Sequence, residues 1–170
     1  EGNDYTSARI KTQGLYDFTY GRVEVRAKLP ASQGTWPAIW MLGSNHPTVG
    51  WPYSGEVDIM EQRGDDKERV LGTSHWYNTA GSNNASYGES TTVENPSTEF
   101  HLYTVEWTEG AVKIFLDDVK YYELTNSADL PFNADFYLIL NVAMGGTLGG
   151  DIDPSFTQDT MEIDYIKVFQ

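Results

Sequence analysis

Three carboxylates lie within six positions in the stretch GEVDIMEQRG, residues 55–64: Glu56, Asp58 and Glu61. Two carboxyl groups flanking one bond, with their pKa values pushed apart, are the equipment for hydrolysing a glycosidic bond. One must be ionised to attack or to activate water. The other must hold a proton to give to the leaving oxygen. The same three acids also suit a divalent cation, and a solvated acidic face is the plain structural alternative. Side chains on a β-strand alternate between faces, so Glu56 and Asp58 share one face and Glu61 has the wrong parity. A β-bulge at Met60 or a neighbour adds one residue and returns Glu61 to the face of the other two. Bulges concentrate beside active sites, so the broken alternation is itself a signal.

The elements that position these acids read as strands. YGRVEVRAKL alternates over ten residues, with Val23, Val25 and Ala27 on one face and Glu24, Arg26 and Lys28 on the other. TSARIKT, WPAIWML, EVDIM, RVLGTSHWY, FHLYTVEW, AVKIFLDD, KYYEL, FYLILNVAM and TMEIDYIKVF are the other strand candidates. Turn clusters such as GSNHPTVGWP, TAGSNNAS and MGGTLGGDIDP separate them. No segment beyond a turn or two carries a helical period. Short strands at regular spacing predict an all-β fold, an antiparallel sandwich or barrel. The loop at 43–55 is long enough to carry function.

Composition narrows the function classes. The 170 residues make one domain with a real core, and no internal repeat or linker is visible. The absence of cysteine excludes disulfides and thiolate metal sites. A net charge of −14 opposes binding to nucleic acid or anionic membranes. The 11 Tyr and 5 Trp exceed what a small core needs, and aromatic rings pack well on the C–H faces of sugars. A non-catalytic carbohydrate-binding module shares that composition but has no use for three acids on one bulged strand.

In order along the chain stand GTWPAIWMLG, GEVDIMEQRG, GTSHW, YTVEWT, LILNVAMGG and MEIDYIKVFQ. This series resembles glycoside hydrolase family 16, and within it the bacterial laminarinases, which are endo-1,3-β-glucanases. The resemblance implies a bent β-sandwich, the β-jelly roll, with a substrate cleft across its concave sheet. It implies retaining double displacement, with Glu56 as nucleophile, Asp58 as assisting acid and Glu61 as general acid/base. The bulged E-x-D-x-x-E form is shared with agarases and carrageenases, whereas mixed-linkage glucanases usually carry the shorter E-x-D-x-E.

Around the acids, Trp36 and Trp40 share a face and are expected to floor the cleft. His75, one strand on, is expected to reach the acid/base. The resemblance places Glu24 and Arg26 on the donor side of the cleft, with surface charge as the alternative, and turns Asn141 towards the sugar. An acid matching Asp164 helps bind a structural calcium ion in the family; no cofactor is implied for catalysis. Trp107 reads as core. The family's N-terminal strands are not found ahead of YTSARIKT, so a second chain carrying them is one expectation and a monomer the other. The implied partner is a β-glucan outside the cell. An agarase, a mixed-linkage glucanase or a binding module is the alternative.

Overall fold

Alternation turns directly into layers. The computed structural model describes residues 4–170. In β2 (Gly21–Lys28), Val23, Val25 and Ala27 are buried while the charged residues between them face outward. The other strands are β1 (Arg9–Lys11), β3 (Thr35–Gly43), β4 (Glu56–Gln62), β5 (Arg69–Asn78), β6 (Asn83–Thr92), β7 (His101–Trp107), β8 (Ala111–Leu116), β9 (Val119–Thr125), β10 (Phe136–Met144) and β11 (Glu162–Phe169). Two single-turn helices, α1 (His46–Val49) and α2 (Gly146–Gly149), sit in loops.

The strands form two antiparallel sheets. One runs β1-β10-β3-β4-β5-β6 and the other β11-β2-β7-β8-β9. Their inner faces meet in one apolar core that includes Ile39, Ile59, Met60, Val105, Ile114, Phe136 and Leu138. Trp107 belongs to it: it is buried, and its Nε1 donates to the Phe132 carbonyl at 2.9 Å. This is the all-β sandwich expected from the turn spacing.

Two strands differ from the sequence reading. The segment SNNAS was read as a turn, yet β6 starts at Asn83 and pairs with β5 over ten residues. It is an exposed edge strand, so neither face needs an apolar pattern. In β11 the alternation is broken at Asp164, where the register with β2 shifts between Ile163 and Tyr165. Ile163 pairs with Ala27 and Val168 with Val23 on the inner face, while Tyr165 and Lys167 pair with Arg26 and Glu24 on the outer face. Ile163 thus faces the opposite way from Tyr165 and Lys167, which strict alternation along TMEIDYIKVF would place beside it.

Candidate active site

The acids stand on β4, third from the edge of the six-stranded sheet. Against β3, Leu42 faces Glu56, Trp40 faces Asp58, Ile39 faces Met60 and Ala38 faces Glu61. Ile59 is left without a partner and is therefore the bulged residue. Ile59 and Met60 both turn into the core at 0% exposure. Burying two successive apolar side chains is what carries Glu61 back to the face of Glu56 and Asp58. On the other side, β5 skips from Thr73 opposite Asp58 to Leu71 opposite Glu61. Gly72 fills that gap, and a Cβ there would lie 2.7 Å from Ile114 Cδ1 and 2.9 Å from the Tyr121 hydroxyl oxygen, so both side chains would have to shift to admit one. The Tyr121 hydroxyl in turn donates to the carbonyl of Ile59 at 3.3 Å, so β9 of the opposite sheet braces the bulge.

Glu56, Asp58 and Glu61 open together on a hollow of about 250 Å³, shared with Arg9, Trp36, Trp40 and Asn141. Both tryptophans lie on the face expected of them. Trp36 Nε1 donates to Glu61 Oε1 at 3.0 Å, and Trp40 Nε1 donates to Asn141 Oδ1 at 2.9 Å. Their polar atoms are thus engaged and their ring faces are what a ligand meets. The glycine-rich loop behind Trp36 can pack tightly because it lacks side chains. Gly64 N–H donates to the Leu148 carbonyl at 2.7 Å, and a Cβ on Gly64 would lie 1.9 Å from the Gly149 carbonyl oxygen. Lys67 ties the ends of β3 and β4 together, donating from Nζ to the Thr35 carbonyl at 2.9 Å and the Thr35 hydroxyl at 2.6 Å. Burial pulls this amine down to about 8.

His75 pairs with Glu56 across β4 and β5. Its Nε2 lies 3.3 Å from Asp58 Oδ2 and 3.9 Å from Glu56 Oε1. The imidazole therefore sits beside Glu56 and Asp58, whereas Glu61, which it was expected to reach, pairs with Leu71 farther along β5. The sequence reading did not single out Arg9, Trp51, Tyr53 or Tyr77. Arg9 is brought in by β1 pairing with β10, and its guanidinium lies 4.8 Å from the centre of the Trp40 ring. Trp51 stands 6.1 Å from the His75 ring, and Tyr53 stacks on Tyr77 at 4.3 Å. The long loop at 43–55 was the sequence signal for Trp51 and Tyr53; Arg9 and Tyr77 stand on β1 and β5 and are brought in by sheet register.

Burial and crowding set the electrostatics. Burial first, then the charge of Asp58, pushes Glu56 up to about 8; His75 and the Trp51 indole act against that rise. Asp58 is raised well above the ordinary range by burial and by Glu61. Glu61 is raised by burial, with the Trp36 hydrogen bond and His75 pulling it back. A low pKa at Glu56 beside a raised one at Glu61 was expected, but all three acids are raised. Three carboxylates in one partly dry hollow cannot all ionise together, and they titrate as a group.

Glu24 and Arg26 are not in this hollow. They lie on the outer face of the second sheet, across the whole core from the acids, because their strand belongs to the other layer. Arg22 Nε donates to Glu24 at 2.8 Å, and Arg26 donates to Asp164 Oδ2 at 2.6 Å with Phe100 beneath its guanidinium. Asp164 is thus committed to a cation of the protein itself, and its neighbour Glu162 pairs with Lys28 at 2.9 Å. A calcium ion needs six to eight oxygens. The described residues around Asp164, with its carboxylate paired to Arg26 and Glu162 paired to Lys28, do not fit it.

Residues 2–167 match the family model described as glycosyl hydrolases family 16. A beta-glucanase from Rhodothermus marinus is 41% identical over 184 residues, covering 100% of this chain and 64% of its own length. The glucan endo-1,3-beta-glucosidase A1 of Niallia circulans is 36% identical over 98% of this chain and 26% of its own length. Among solved structures, LamA of Z. galactanivorans, in complex with laminaritriose and laminaritetraose, superposes with a TM-score of 0.93 at 49% identity. That match covers 98% of this chain and 71% of LamA. The chain thus spans less than two thirds of the length of these two curated relatives.

Proposed function

The chain belongs to glycosyl hydrolases family 16, and from that premise we propose that it cleaves internal β-1,3-glucosidic bonds of a laminarin-type glucan with retention of configuration. One observation carries the reading: the unpaired Ile59 brings Glu56, Asp58 and Glu61 to one tryptophan-floored hollow. Relatives named for β-glucan hydrolysis support the substrate class.

The chemistry follows from which acid holds a proton. Asp58 is the most deeply buried and keeps its proton most readily. Once it is neutral, its repulsion of Glu56 disappears, and Glu56 ionises more readily than beside a charged Asp58, although burial still holds its pKa up. Glu56 then attacks the anomeric carbon and forms a glycosyl ester. Glu61, held by the Trp36 indole, gives its proton to the departing glycosidic oxygen. In the second half it takes a proton from water, which releases the sugar with its original configuration. His75 stands close to both Glu56 and Asp58, where a protonated imidazole favours their ionised forms. Trp36 and Trp40 offer ring faces to the sugar.

A neutral polymer suits a chain with 25 acidic and 11 basic residues, since a sulfated one would meet repulsion at the acids. Such a polymer is too large to enter a cell, which supports action outside it. No helix among the described residues is long and apolar enough to cross a membrane. The test is incubation with laminarin, mixed-linkage glucan and agarose side by side, with the anomer of the fresh product read by proton NMR. Laminarin oligosaccharides with initial β configuration are expected, with slower release from mixed-linkage glucan. Oligosaccharides from agarose and none from laminarin would overturn the substrate, and an initial α product would overturn the mechanism.

A further inference from the structure

We propose that Glu56, Asp58 and His75 form a three-ligand site for a borderline divalent transition-metal ion of the Zn²⁺ class, which blocks the hollow when bound. One ligand atom from each of the three residues lies within 4.8 Å of the others, the one such group of three among the described residues. A tetrahedral zinc ion with bonds near 2.0–2.2 Å sets its ligand atoms about 3.4 Å apart. Asp58 Oδ2 and His75 Nε2 are 3.3 Å apart, one edge of that tetrahedron. Glu56 Oε1, at 3.9 Å from the same nitrogen, needs a small side-chain rotation to complete the face.

A second observation is independent of the clustering. Asp58 Oδ2 is buried with no hydrogen-bond partner in the protein. A buried polar atom without a partner is costly, and this one is aimed at the space between His75 and Glu56. A cation there satisfies it and offsets the repulsion among the acids. Two carboxylates and one imidazole suit zinc or copper, whereas calcium and magnesium favour shells made of oxygen. Three protein ligands leave a fourth position open, and two of the three, Glu56 and Asp58, line the hollow.

The consequence is inhibition. Glu56 bound to a metal cannot attack an anomeric carbon, so metal and sugar exclude each other. That consequence rests on the catalytic reading above; binding itself does not. Titration calorimetry of the whole chain with zinc chloride in a non-chelating buffer is the test, run beside calcium chloride. One zinc ion per chain is expected, with no heat from calcium. His75→Ala is expected to weaken zinc at least tenfold, and His46→Ala to leave it unchanged. With laminarin as substrate, zinc is expected to raise KM without changing kcat. If circular dichroism shows that His75→Ala does not fold, Asp58→Asn carries the same expectation. Zinc affinity undiminished in the folded variants, or calcium binding as tightly, would overturn the site. Zinc binding that is lost in the variants, with no glucan hydrolysed by the parent, would leave the site standing and remove the catalytic reading.

Discussion

Glu56 is a residue the fold holds at a cost to its own stability. Its carboxyl is raised from 4.5 to about 8, chiefly by burial. A group raised on folding stabilises the folded state below its unfolded pKa and loses that contribution as pH climbs through the folded one. Glu56→Gln imitates the protonated form at every pH. The variant is therefore expected to match the parent near pH 4 and to exceed it by an increasing margin as pH rises from 4.5 through 8, while turnover is abolished. Thermal melts at a series of pH values check this, and a difference independent of pH would refute it. Trp36 acts on the other acid. Its indole N–H lowers the pKa of Glu61, so Trp36→Phe should let that pKa rise and move the alkaline limb of kcat/KM to higher pH. KM should rise as well, since the ring face is altered. An alkaline limb that stays put, or moves down, would remove Trp36 from the control of the proton donor.

The bulge at Ile59 is the element that makes the site. It was legible in the sequence as a parity violation, because E-x-D-x-x-E cannot place three acids on one face of a regular strand. What braces it was not legible. Gly72 and Tyr121 touch the bulge from a neighbouring strand and from the opposite sheet, and neither lies near the acids in sequence. Gly72→Ala drives a methyl into Ile114 and Tyr121. It is expected to cost about 1–3 kcal/mol and to lower kcat more than it raises KM, through displacement of the acids. A stable variant with parental kcat would show that the bulge needs no such space. The strand β6 stayed hidden for a different reason. Asn, Ser, Gly and Thr dominate its sequence, and it is held by backbone pairing with β5 rather than by an apolar face.

Across the whole molecule, two sheets divide the labour. One carries the acids and tryptophans; the other closes the core and turns a charged face to solvent. Glu24 and Arg26 look like site residues by type and alternation, but they lie on the far layer. Arg26→Ala is expected to leave kcat and KM on laminarin unchanged, and to cost less than about 1 kcal/mol from its exposed pair with Asp164. Steady-state kinetics and a melt check both halves, and a marked loss of kcat/KM would return Arg26 to the substrate path.

The sequence by itself determined what local patterns can encode: strands from alternation, turns from Gly, Asn and Pro, and the acid triplet with its bulge. Order along the chain carried the family as well. Only the tertiary structure decided which layer each strand joined. That choice separated Glu24 and Arg26 from the site, set His75 beside Glu56 and Asp58, and brought Arg9 over Trp40. A strand's period states which residues share a face, but not which neighbour that face meets. Partners far apart in sequence are fixed by sheet order and register, and those are properties of the assembled core.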